Sequence, residues 1–175
     1  MLHRFLLSML AFCVVSCTNS VKGPNGVVYK SAQEYNDYII NRQTEILKQI
    51  LAFSDAAQYN VDSAELLLNK SIGTISKSIE DINGMSAYKG DTSLRNAAVN
   101  SFAFYKRIFS NEYKQILDIR RRPQLTEQDV QAIQQIVDKI SNEEKAYDER
   151  FQKAQARFAR DNHMQMKENE MQKGD

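Results

Sequence analysis

Few side chains in this chain are equipped for chemistry. Among its 175 residues are two Cys, Cys13 and Cys17, and two His, of which only His163 stands outside the first 17 residues. Serine–histidine catalysis would have to recruit His163 from a polar C-terminal stretch with nothing to orient its ring. A di-iron site in a helical bundle needs inward Glu residues and Glu-x-x-His on two helices, but Arg160 occupies the place three before His163. Carboxylate pairs occur at Glu80-Asp81, Glu143-Glu144 and Asp148-Glu149. A glycosidase requires two carboxyl groups converging across a cleft, whereas neighbours on a helix diverge by about 100°. These pairs therefore read as solvated helix faces. The absence of any Gly-x-Gly removes a phosphate-cradling loop of that type. No enzyme is expected.

Two further clusters carry donors or charge. His163, Met164, Met166 and Met171 place an imidazole and thioethers in one short stretch, and such soft donors favour Cu(I) over Zn or Mg. Their spacing follows no strict motif and Met is a common helix former, so no resident metal or cofactor is expected. Soft-metal (Cu) or small-ligand binding is kept as the alternative function. Arg120-Arg121-Arg122-Pro123 is the densest charge run. Cations complement the dipole at a helix C-terminus and Pro ends the helix, which is the preferred reading. Counting helices puts this loop at the N-terminal end of the fold, where attraction to anionic headgroups is the second reading. Overall, 23 basic against 22 acidic residues give no basic stripe for a nucleic-acid partner.

The first 17 residues, MLHRFLLSMLAFCVVSC, carry Arg4 and then an apolar run from Phe5 to Val15 broken by Ser8. The run is too short for a membrane-spanning helix, which takes about 20 residues, and fits a secretory signal over residues 1–16. Val14-Val15-Ser16-Cys17 resembles the lipobox of bacterial lipoproteins: branched aliphatic, small or aliphatic, small, then cysteine. Bulky Phe12 before Cys13 makes that residue the poorer match, and Val14 stands where the family most often has Leu. The resemblance implies signal-peptidase recognition through Val14, Val15 and Ser16, cleavage before Cys17, and a covalent lipid on Cys17. It also implies loss of Arg4, leaving 22 basic and 22 acidic side chains, and no free thiol. Thr18 rather than Asp follows the cysteine, which favours the outer membrane over the inner.

Residues 17–29 carry Gly23, Pro24, Asn25 and Gly26 without a helical period and read as a lipidated anchor and flexible tether. From residue 30 to 159 four amphipathic segments follow, with few Gly or Pro to interrupt them. Apolar side chains recur from Ala32 to Ala57, Val61 to Ile82, Leu94 to Ile116 and Val130 to Phe158 at steps of three and four, the period of one helical face. Ser31 with Glu34, Asp62 with Glu65, and Thr126 with Asp129 supply start signals. Gly84 and Pro123 supply stops. Short connections favour antiparallel neighbours. The expected fold is therefore all-α, an up-down-up-down four-helix bundle with an N-terminal tether and a charged, frayed Met/His tail over residues 160–175.

Arg42 and Glu144 interrupt the apolar stripes of the first and fourth segments and are expected to form a half-buried structural ion pair. Tyr38, Tyr59 and Tyr88 fall off the stripes or near helix ends. In its tether-plus-bundle layout the region after Cys17 is similar to small helical surface lipoproteins of diderm bacteria, a likeness that transfers no functional residue. The expected role is a non-catalytic interaction or structural module of the cell envelope, held on the membrane by its lipid and meeting an envelope protein partner.

Overall fold

A computed structural model describes residues 20–164. The signal residues 1–16, Cys17 and the tail beyond Met164 lie outside the described residues. The described chain is mostly helical, with one small two-stranded sheet. Strands β1 (Val21–Lys22) and β2 (Val28–Tyr29) pair antiparallel, Val21 facing Tyr29. Helix α1 spans Ala32–Tyr59 and α2 spans Val61–Asn83. Helix α3 (Ser93–Ile108) passes through a π turn at Phe109–Tyr113 into α4 (Lys114–Arg120), so residues 93–120 form one rod. Helix α5 spans Glu127–Asp161. Among these, no helix is long and apolar enough to cross a membrane.

The caps explain the boundaries. Ser31 Oγ accepts from the Glu34 N–H at 3.1 Å, and Thr126 with Asp129 closes a full capping box. The start of α2 corrects the sequence reading: Asn60, not Asp62, is the cap, its side-chain oxygen accepting from the Ser63 N–H at 2.8 Å. One residue thus ends α1 and begins α2. Asp91 accepts from the Ser93 N–H at 2.8 Å ahead of α3.

Helix α1 packs on α2, α2 on α3, and α3 on α5, while α1 and α5 meet sparsely. The core is rich in rings. Tyr35 contacts Tyr29, Tyr88 and Phe158 with centroids 5.4–5.5 Å apart, and Phe53 stacks on Tyr113 at 4.6 Å. Such pairs add about 0.5–1.5 kcal/mol each beyond area burial. Tyr88, expected off the stripe, is buried in this cluster. Conversely Val130 and Val137, expected in the core, are 56% and 44% exposed among the described residues, where α1 and α5 meet only sparsely.

The flexible tether is also corrected over its described part. Its turn-forming residues build a hairpin: Pro24 opens a single 3₁₀ turn and Gly26 adopts φ +76°, a conformation open to glycine without strain. Tyr29 is 3% exposed, and the Ser86 N–H donates to the Lys22 carbonyl at 3.1 Å. The hairpin is thereby fastened to the loop after α2.

Candidate functional site

Glu144 and Asp148 lie one turn apart on α5, spacing that puts both on the same side of the helix. Opposite them α1 presents Gln43 and Leu47, also one turn apart. Tyr105 of α3 and Phe151 complete a cleft of about 120 Å³. The Tyr105 hydroxyl donates to Glu144 Oε1 at 2.9 Å. Burial raises the Asp148 carboxyl above its ordinary value, the Glu144 charge adds to this, and a hydrogen bond with Tyr105 opposes it. Burial likewise raises the Tyr105 phenol, helped by Glu144 and Asp148, so it stays a neutral donor. Among the described residues neither carboxylate has a cationic nitrogen within 4.0 Å.

Beyond the cleft, exposed apolar side chains continue along both helices. Leu51 stands one turn beyond Leu47 on α1 and is 70% exposed. Val137 and Val130 stand two and four turns before Glu144 on the same face of α5 and are exposed as noted. The strip is acidic at Asp148 and apolar at Val130.

Several other charged groups find ion-pair partners within the fold, although Glu112 Oε2 is buried without a hydrogen bond. Glu112, in the π turn, is buried; its Oε1 accepts from Arg107 and, at 3.0 Å, from Lys139 Nζ. Arg107 reaches on to Glu143. Burial would raise the Glu112 carboxyl, but the Lys139 hydrogen bond and the Arg107 charge hold it below the usual range. A second cleft beside the π turn, about 190 Å³ and lined by Glu65, Asn69, Ser110, Lys114 and Asp118, has mixed charge, and its Glu65 is bound by Arg121.

The expected Arg42–Glu144 pair is not formed. Arg42 Nη2 turns towards α2, meeting Asp81 Oδ2 at 3.3 Å and accepting no role on α5, and it also donates to the Tyr38 hydroxyl at 3.1 Å. Glu144 is taken up by Tyr105 of α3. Each has a nearer partner on the helix that packs against it. The Arg run is placed differently too. Arg121 pairs with Asp62 at 3.6 Å and with Glu65, both at the start of α2, while Arg122 pairs with Asp129 at the start of α5. That end holds Asn60, not the hairpin, so headgroup attraction beside the N-terminal segment is withdrawn and the helix-end reading stands.

Of the Met/His cluster, His163 is exposed with φ +53°, and Met164 packs partly buried against the core, its N–H donating to the Ala159 carbonyl at 2.9 Å. Met166 and Met171 lie outside the described residues, as do Val14, Val15, Ser16 and Cys17. Among the described residues no three His, Cys, Asp or Glu side chains gather as a metal-holding group. Sequence reasoning missed the Glu144–Asp148 pairing because it weighed carboxylates adjacent in sequence; the signal was the four-residue spacing. Compared with protein-family models, curated proteins and solved structures, the chain matches none.

Proposed function

We propose that this chain is a lipid-anchored, non-catalytic module of the cell envelope, an up-down-up-down four-helix bundle that binds a partner through the α1–α5 cleft. The bundle reading draws support from cross-helix pairs whose numbers rise on one helix and fall on the next: Arg42 with Asp81 and Gln49 with Ser71, then Tyr105 with Glu144 and Lys139 with Glu112. The anchor reading rests on Val14-Val15-Ser16-Cys17 after the apolar run. Several acyl chains on Cys17, at about 0.8 kcal/mol per buried methylene, make a durable hold.

The observation that carries the binding role is a pair of partly buried carboxylates without a cation among the described residues, at the head of an exposed apolar strip. Buried charge is costly unless paired, and a partner supplying a cation there would remove that cost. From Val130 to Asp148 the strip runs about 27 Å at 1.5 Å per residue, the length of a five-turn helix. The fitting partner is an amphipathic helix of an envelope protein, apolar at one end and lysine- or arginine-bearing at the other.

The cleft's own volume favours a second reading, a small alkylammonium ligand held between Glu144, Asp148 and the Leu47–Phe151 walls. Titration of the purified chain separates the two. An 18-residue amphipathic peptide with lysines at one end should bind at least tenfold tighter than cadaverine. Its lysine-to-glutamate counterpart should not bind, and Glu144→Gln with Asp148→Asn should abolish binding. Equal binding of both peptides defeats the cleft reading. The anchor is tested by the mass of Cys17 and by loss of membrane fractionation in Cys17→Ala.

A further inference from the structure

The hairpin that replaces the expected tether leaves very little slack between the proposed lipid and the folded domain. Tyr29 is locked in the core against Tyr35 and Tyr38, with centroids 5.5 and 5.4 Å away. Gly23 lies so close over that ring that a Cβ there would clash with Tyr29 Cε2. The Gly23 N–H closes the turn on the Val27 carbonyl at 2.6 Å. The hairpin therefore moves with the helices. Between Cys17 and Val21 there are only four chain steps, at most about 14 Å at 3.3–3.6 Å each. Helix α5 alone is about 52 Å long at 1.5 Å per residue.

Val27 and Val28 at the turn end of β2 are 41% and 43% exposed, and Val28 stands opposite Lys22 in the ladder. Exposed Lys22 and Lys30 flank them. Valines beside lysines suit a bilayer interface: the apolar groups enter the headgroup layer while the ammonium groups stay among anionic lipids. Each lysine contributes about 1 kcal/mol near such a surface. The Glu34 carboxylate accepts from the Lys30 backbone N–H at 2.8 Å and exposed Asp37 follows on α1, so the attraction is local and rests chiefly on Lys22 beside the valines.

We propose that the β1–β2 hairpin, through Val27 and Val28 between Lys22 and Lys30, docks onto an anionic lipid surface and holds the Asn60 end of the bundle away from it. This rests on the anchor reading above for its natural setting. It adds that the anchor is continued by a protein foot, which gives the domain a fixed direction.

The chain contains no Trp, so an introduced one is a sole reporter. Val28→Trp and Tyr59→Trp are each made in the full chain with Cys13→Ser, and Cys17 is coupled to maleimide lipid in vesicles of phosphatidylethanolamine with phosphatidylglycerol. Val28→Trp should shift its emission to the blue and be quenched by brominated lipid at least twofold more than Tyr59→Trp. Lys22→Glu with Lys30→Glu should remove that difference. Val27→Trp repeats the reading should the first variant fold poorly by circular dichroism. Water-like emission at both hairpin positions, or equal quenching at Tyr59→Trp, overturns the proposal. Because coupling is chemical, a chain whose Cys17 proves unmodified in cells defeats the anchor reading while leaving this result to stand or fall by itself.

Discussion

Helix α5 borders two carboxylate settings, with Lys139 and Glu143 at one and Glu144 and Asp148 at the other, and they differ in kind although little more than a turn separates them. At one, Glu112 reaches across from the π turn and is held by Arg107 and Lys139, with Glu143 completing the group. At the other, Glu144 and Asp148 face a cleft with a phenol for company and, among the described residues, no cation. Glu112 is buried and Glu144 and Asp148 are half-buried, so the shallower pair is the one that lacks a cation among the described residues. The first neutralises its own charge and ties helices together. The second leaves its charge for something else to neutralise. A charged group held inside a fold at a cost to stability marks a functional candidate; a group whose charge the fold itself satisfies explains itself.

Removing the two kinds of carboxylate should therefore move stability in opposite directions. Glu112→Ala leaves Arg107 and Lys139 with Glu143 as their one remaining carboxylate. Breaking a fully buried pair costs about 3–5 kcal/mol, and surface pairs about 0–1. With Arg107 and Lys139 35% and 57% exposed, a loss of about 2 kcal/mol is expected in urea unfolding. Asp148→Asn removes a charge that nothing in the cleft balances and should stabilise the free protein by about 0.5–1 kcal/mol. A loss of stability there matching that of Glu112→Ala would erase the distinction.

Acid sharpens the same contrast. The Asp148 carboxyl is raised in the fold, mainly by burial, so on acidification the folded protein takes up this proton before the unfolded chain does. Its destabilising contribution is felt at neutral pH and is relieved as pH falls through the raised value. The Glu112 carboxyl is lowered, since Lys139 and Arg107 overcome burial. Its contribution is present above the ordinary glutamate range and is lost as pH falls through the depressed value. The stability gap between Asp148→Asn and the parent should shrink from pH 7 to pH 4, whereas that of Glu112→Ala should shrink only at lower pH. Melting curves across pH 3–7 check both, and parallel profiles would count against the two environments.

Much of the helical framework was legible because it depends on local rules. The 3.6-residue stripes and the Thr126–Asp129 box fixed helices within a few residues of where they lie. What was not legible depended on which helices meet. The Gly-Pro-Asn-Gly composition of residues 23–26 fits a free linker and a docked turn equally well. Only the burial of Tyr29 among Tyr35 and Tyr38 decides between them. The π turn left no mark in the apolar spacing, and Val130 and Val137 follow a core period although both are exposed among the described residues. Glu144 and Asp148 have the spacing of a shared face, but only the gap beside α1 makes that face a cleft.

The smallest effect bears on Arg42, where the sequence expectation and the structure name different partners. Double-mutant cycles isolate a pairwise term, and residues without a shared partner add within about 0.3–0.5 kcal/mol. Arg42 meets Asp81 at 3.3 Å, and Asp81 is 6% exposed while Arg42 is 32% exposed, so Arg42→Leu with Asp81→Leu should be coupled by about 1 kcal/mol. Lys77 also reaches Asp81, at 3.1 Å, and would compensate part of the loss in Arg42→Leu alone. Arg42→Leu with Glu144→Leu should be additive, since Glu144 answers to Tyr105. Coupling of the second pair as large as the first would restore the Arg42–Glu144 bridge. It would also supply Glu144 with a cation, and the cleft would then lose the unpaired charge on which its binding role depends.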